Sequence, residues 1–192
     1  IKIPVSKERE EQFIKSQIDE LVESIAEMKA ENAENYTIKD MERTRQNYQD
    51  KLQKLLDKPL KDDVVTFEQM GIDKLFIDEA DMFKNLGIST KMRNISGIAA
   101  NRDVQKTQDL YVKCQYLDEL THSRGIVFAT GTPVSNSISE LYTMQRYLQY
   151  DYLKECGLTH FDAWAANFAQ KVTKLEYAPT GKGFRQKTRL AK

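Results

Sequence analysis

Leu75-Phe76-Ile77-Asp78-Glu79-Ala80-Asp81 is the stretch whose reading decides the fold. A short apolar run of strand-forming residues delivers two adjacent acids at its C-terminal end. About fifty residues on, Gly125-Ile126-Val127-Phe128-Ala129 repeats the pattern and ends in Thr130-Gly131-Thr132-Pro133. Short, fully apolar strands that end in polar loops mark a parallel sheet covered on both faces. In open α/β sheets, ligands sit at the carboxyl edge of the strands. Adjacent acids there suit nucleoside triphosphate chemistry, one carboxylate for Mg²⁺ and the next to orient or deprotonate water. Thr130, Gly131 and Thr132 are small enough for a close approach to a phosphate or to the acid loop. A solvated strand end and a plain Gly-Thr-Pro turn are the ordinary alternatives.

Outward from these two edges the period is helical. Val104 to Leu120 places Leu110, Tyr111, Cys114, Leu117 and Leu120 on one face, and Ser139 to Leu148 carries Leu141, Met144, Tyr147 and Leu148. Strand, helix, strand, helix is α/β alternation. Val64-Val65-Thr66-Phe67 is a further β-prone run. Upstream, Phe13, Ile14, Ile18, Leu21, Val22, Ile25 and Met28 form one stripe at steps of three and four, with Ser6 as N-cap. A second stripe runs through Ile38, Met41, Tyr48, Leu52, Leu55 and Leu56, with Thr37 as N-cap and Asp57-Lys58-Pro59 as its stop. Two such helices pack as an antiparallel hairpin whose outer faces meet solvent or something charged. After residue 151 a helical pattern spans His160 to Val172, followed by a turn-rich Tyr177 to Gly183 and a basic tail. The expected organisation is a hairpin over 1–62, an α/β segment over 63–151, and a helical extension with a basic tail over 152–192.

Composition narrows the function classes. The 192 residues carry 29 Lys and Arg against 29 Asp and Glu, a net charge of zero. The sum hides its parts: the three zones carry −2, −3 and +5. Eight Gly and four Pro exclude collagen-like and low-complexity chains. No apolar run approaches a membrane span, and no signal peptide opens the chain, so a cytoplasmic setting is expected. Cys114, Cys156, His122 and His160 lack the paired short spacings of a structural zinc site. Opening at Ile1 rather than Met, the chain reads as an excerpt of a longer protein.

Asp78-Glu79-Ala80-Asp81 followed by Phe83-Lys84-Asn85 resembles motif II of the Swi/Snf-type ATPases of helicase superfamily two. Ala129-Thr130-Gly131-Thr132-Pro133-Val134-Ser135-Asn136, with Glu140-Leu141 after it, resembles their motif III. Despite the literal Asp-Glu-Ala-Asp, the Ser-Ala-Thr tripeptide of the DEAD-box RNA helicases is absent. Together with Thr66 to Asp73, Thr90-Lys91-Met92 and Phe161-Asp162-Ala163-Trp164, the chain resembles the large helicase–methylase proteins of bacterial mobile elements and phages.

That resemblance implies an incomplete RecA-like parallel-sheet lobe, preceded by a long helical hairpin, from a DNA-dependent ATPase that uses ATP and Mg²⁺. Asp78 matches the Mg²⁺-binding acid and Glu79 the residue that activates water. Thr130, Gly131 and Thr132 match the motif that links nucleotide state to nucleic-acid grip. Lys84 and Asn85 match the Lys-Asn after the acid box. Lys84, Asn85, Lys91, Arg93 and Arg102 are the candidate nucleic-acid contacts, the last three around a polar loop, Asn94 to Asn101. No G-x-x-x-x-G-K-[ST] occurs, so the phosphate loop is expected upstream of Ile1 and the arginine finger in a second lobe. The 192-residue piece alone is then expected to be inactive. The alternative is a non-catalytic protein- or DNA-interaction module built on the hairpin. The basic tail is read either as a phosphate contact or as a solvated end. Trp164 with Phe161 and Phe168 is read as a helix anchored on a core rather than a base-stacking platform.

Overall fold

The computed structural model describes residues 3–30, 35–59, 64–92, 95–98 and 105–191. In chain order the elements are α1 (Lys7–Ala30), α2 (Asn35–Asp57), β1 (Leu75–Ile77), β2 (Ile95–Ser96), α3 (Gln105–Thr121), β3 (Ile126–Phe128), α4 (Ser139–Leu148), α5 (Tyr150–Glu155), α6 (Phe161–Phe168), β4 (Gln170–Tyr177) and β5 (Phe184–Ala191). Single 3₁₀ turns cover Glu68–Met70 and Ala80–Phe83. No described helix is long and apolar enough to cross a membrane. The residues gather into two compact units, one of Ile1–Leu75 with Gln108–Gly125, the other of Phe76–Thr107 with Ile126–Lys192. These units cut across the three sequence zones, because α3 returns to the hairpin.

In the first unit α1 and α2 form the antiparallel hairpin. Lys51 near the end of α2 meets Glu10 near the start of α1, and Lys29 at the end of α1 meets Glu42 in α2. Phe13, Ile14, Leu21, Ile25 and Met28 are buried along α1, as are Ile38, Met41 and Tyr48 along α2. Burying each such side chain contributes roughly 1.5–3 kcal/mol. Val22 and Leu56, at the margins of the two stripes, are exposed. Ser6 caps α1, its hydroxyl accepting the Arg9 N–H at 3.3 Å. Thr37 lies inside α2, which begins at Asn35. The hairpin does not stand free: Tyr111 of α3 packs edge-on to Phe13, and Gln108 donates to the Tyr48 hydroxyl at 2.6 Å.

Val64 to Phe67 is not a strand. Val64 and Val65 are exposed, and the Phe67 N–H donates to the Pro4 carbonyl at 2.8 Å. The segment turns instead because Glu68 is drawn to the start of α1. Its carboxylate accepts the Ser6 N–H and hydroxyl, and Arg9 lies 3.6 Å away. Burial alone would raise the Glu68 carboxyl, but its own N–H, the Ser6 donors and Thr66 outweigh it and hold it below the usual carboxylate range.

β1 and β3 pair side by side. The Leu75 N–H donates to Gly125 and the Ala129 N–H to Ile77, so register advances along both strands together and the pair is parallel. Full coverage was expected of both faces. Instead the middle residues Phe76 and Val127 are exposed, while Phe128 packs against Tyr147 of α4 with ring centroids 5.3 Å apart. Side chains alternate along a strand, and within this two-stranded sheet only one of the alternating faces is occupied.

The core of the second unit is Ile88, Ile95, Tyr142, Leu153, Phe161, Trp164, Ala165 and Leu190. Trp164 is fully buried and its indole N–H donates to Gln145 at 2.6 Å. α6 stops at Phe168 rather than running to Val172, since Ala169 is already extended at φ −138°, ψ 147°. The expected basic tail is then a β-hairpin: β4 and β5 pair antiparallel from Gln170↔Ala191 to Tyr177↔Phe184. Gly181 and Gly183 supply the left-handed backbone of its turn, at φ 70° and 83°. At its base β5 pairs in parallel with β2, through Ile95↔Thr188 and Ser96↔Arg189.

Candidate active site

Asp78 and Glu79 leave the C-terminal end of β1 and both are exposed. Asp78 Oδ1 accepts the Glu79 N–H at 3.0 Å, which orients that carboxylate and leaves Oδ2 to the solvent side. Glu79 sits at φ 55°, ψ 43°, a left-handed position uncommon for a residue with a side chain. That turn lets Ala80, wholly buried, donate its N–H to Ala129 at 3.1 Å. The acid box is thereby locked to the end of β3 while both carboxylates stay outside.

The loop after β3 closes onto the same box. Thr130 donates its hydroxyl to Asp81 at 3.1 Å and accepts the Thr132 N–H at 3.1 Å. The paired acids thus divide their work: Asp81 binds the neighbouring loop, and Asp78 and Glu79 remain free of it. Gly131 is exposed, and a Cβ built there would meet no atom within 4 Å. Its lack of a side chain answers to no close packing contact, and the space where a side chain would stand is open.

Lys84 makes the second tie. Its ammonium donates to the Thr132 carbonyl at 3.1 Å and to the Ser135 hydroxyl at 2.8 Å, and lies 3.2 Å from Glu140. The Glu140 carboxylate, at the start of α4, also accepts the Ser135 N–H at 2.6 Å and the Asn136 N–H at 3.2 Å. The side chains of Lys84 and Glu140 are only 9% and 12% exposed. Burial alone would raise the Glu140 carboxyl; the Ser135 and Asn136 N–H groups, Lys84 and the Asn136 amide together hold it below the usual range. Glu140, Ser135 and Asp81 carried no assigned role in the sequence. The Glu-Leu pair and the Ser-Asn step were visible as a pattern, but not the lysine 56 residues away that joins them.

The candidate nucleic-acid contacts scatter. Lys84 is committed to this internal network. Asn85 is exposed, and its carbonyl accepts the Thr107 hydroxyl at 3.4 Å. The Lys91 N–H donates to Asp162 at 2.8 Å, and Thr90 donates its hydroxyl to the same carboxylate, pinning the loop over Ile88 to Met92 to the start of α6. Lys106 lies over the Phe83 ring at 4.4 Å. Arg93 and Arg102 lie outside the described residues.

The family described as a probable helicase domain matches residues 1–191. The chain belongs to that helicase-domain family. Over 112 residues the helicase domain is also 28% identical to Defense against restriction protein B of Escherichia phage P1, a match covering 57% of this chain but 5% of the phage protein. The chain therefore spans a small fraction of that relative's length. No solved structure matches.

The oxygens that this helicase domain offers at its strand edge are hard carboxylates, the ligand type of Mg²⁺. Among the described residues no three His, Cys, Asp or Glu side chains converge into a metal cage. A nucleotide-borne Mg²⁺ does not require one, since it keeps several waters and takes one or two carboxylates from the protein. Asp78, oriented by the Glu79 N–H and open on its other oxygen, fits that demand.

Proposed function

We propose that the chain is part of a Swi/Snf-like, DNA-dependent ATPase lobe of helicase superfamily two, carried in a larger helicase–methylase type of protein. In this reading Asp78 would hold a Mg²⁺, which would supply neutralisation of the phosphate charge of ATP. Glu79 orients and deprotonates the attacking water. Thr130, Gly131 and Thr132 form the loop that answers to the nucleotide, and DNA is the polymer acted on. The observation that supports it is the double tie between the acid box and the following loop. Asp81–Thr130 and Lys84–Glu140 tie the two motifs to each other, while Asp78 and Glu79 stay exposed at the carboxyl edge of the strand pair.

The chain has no G-x-x-x-x-G-K-[ST] segment, so the phosphate cradle of the working ATPase comes from elsewhere in the larger protein. Purified as 192 residues, the chain is expected to turn over no ATP. In the larger protein, Glu79→Gln is expected to lower ATP hydrolysis by about 10²–10⁴-fold, the usual contribution of a positioned base, with DNA binding retained. Undiminished hydrolysis in that variant would refute the assignment of Glu79, and loss of DNA binding together with hydrolysis would assign it a structural part instead.

A further inference from the structure

Over the outer part of the β4–β5 hairpin, from Thr173 to Lys187, charge and apolar surface are sorted onto opposite faces; nearer the base Lys171 lies on the apolar side, opposite Leu190. The register places Tyr177 opposite Phe184, Leu175 opposite Gln186 and Thr173 opposite Thr188 on one face. On the other face Glu176 is opposite Arg185, Lys174 opposite Lys187 and Val172 opposite Arg189. Among the described residues it is the base of the ribbon that joins the core: Leu190 is buried there, and Ile95 and Ser96 of β2 pair with Thr188 and Arg189. Beyond that point the ribbon projects. Leu175, Tyr177 and Phe184 are 69%, 73% and 65% exposed, and Lys174 and Arg185 are exposed on the reverse side.

Two features of the cationic face count against a merely structural role. Lys174 and Lys187 are directly opposite each other, a like-charge pair that weakens a sheet. Four cations stand on this face with a single carboxylate, Glu176, which contacts two of them, Arg189 at 2.7 Å and Lys187 at 3.7 Å. A two-stranded ribbon exposed on both faces is marginal by itself, and this one carries a repulsive pair in its middle. A polyanion laid along the face would relieve both faults.

We propose that the β4–β5 hairpin is a nucleic-acid-binding arm. Lys174, Arg185, Lys187 and Arg189 contact backbone phosphates, and the exposed Tyr177–Phe184 pair, with ring centroids 4.5 Å apart, offers a stacking surface for an unpaired base. This goes beyond the ATPase reading and does not need it: the arm asks only for a phosphate backbone, and none of its residues belongs to the acid edge.

The test is binding of a fluorescein-labelled oligonucleotide, single-stranded and duplex, to the full 192-residue chain over a series of salt concentrations. Lys174→Ala/Lys187→Ala is expected to weaken binding and to flatten the plot of log affinity against log salt by about two units of slope, one per lost phosphate contact. Its thermal stability is expected to be unchanged or higher, because the repulsive pair is gone. Glu176→Gln is expected to tighten binding, an effect that general loosening of the hairpin would not produce. Tyr177→Ala is expected to weaken the single strand more than the duplex. Unchanged affinity and slope in the double lysine variant would overturn the proposal. So would tighter oligonucleotide binding by that variant, which would leave the apolar face as a surface for protein. Hydrolysis of ATP is read separately and bears only on Glu79, so failure of one reading leaves the other standing.

Discussion

Lys84→Met removes the ammonium that joins the two motif loops and keeps most of the aliphatic volume. The cost follows from what is left behind. Breaking a fully buried ion pair by removing one partner costs about 3–5 kcal/mol. Here the pair is about nine-tenths buried, and Glu140 keeps the Ser135 and Asn136 N–H donors, so about 2 kcal/mol is expected, in line with a lost hydrogen bond to a charged group. The chain's single tryptophan, Trp164, lies in the core of the same unit, so its fluorescence in a urea titration reports the loss. The sign with pH is fixed by Glu140. Its carboxyl is held below the usual range, so its contribution is complete above the unfolded value of about 4.3 and disappears as pH falls through the folded value. The difference between wild type and Lys84→Met is therefore largest at neutral pH and narrows on acidification. With Glu140→Gln, a double-mutant cycle is expected to give a coupling of about 1–2 kcal/mol. A coupling near zero, or a penalty identical at neutral and acidic pH, would show that Lys84 acts only through its packing and that the tie between the motifs is incidental.

Glu68→Gln removes the carboxylate that receives the Ser6 N–H at the start of α1. A loss of about 1–2 kcal/mol is expected from the lost charge-assisted cap. Because the Glu68 carboxyl is also held low, that loss is present at neutral pH and fades as pH falls through its folded value; helix-monitored melts at the two pH values check it. Gly97→Ala places a methyl 2.7 Å from the Ser137 Cβ at a residue with φ +91°. Backbone strain and overpacking together should cost about 2–4 kcal/mol in the same urea assay. Gly131→Ala, where nothing lies within 4 Å, is the matched control and is expected to leave stability unchanged.

How far the sequence could be read depends on where each signal resides. The α1 stripe from Phe13 to Met28 is written in one segment by the 3.6-residue period, and α4 begins and ends where its pattern does. That α3 would be the third helix against the hairpin could not be read the same way, because Tyr111 finds Phe13, and Gln108 finds Tyr48, from far along the chain, the latter pair 60 residues apart. The exposed acids were legible because an apolar strand ending in Asp-Glu is a local event. The network behind them was not, since Thr130 and Glu140 meet Asp81 and Lys84 from far along the chain.

The tail failed for a different reason. Strands are recognised by apolar residues alternating with polar ones, and that alternation exists because one face meets a core. Between Thr173 and Lys187 neither face does: the apolar residues are exposed and the reverse face is cationic. The segment therefore looks like charge and turn residues, although its backbone pairs along its full length. The same holds for the net charge of zero. It argues against a nucleic-acid protein only if charge is spread evenly, whereas here Asp78 and Glu79 sit together at one strand edge and Lys174, Arg185, Lys187 and Arg189 share one face of the ribbon. A polyanion would meet that face and not the average, so the hairpin's register is what gives the tail's charge its meaning.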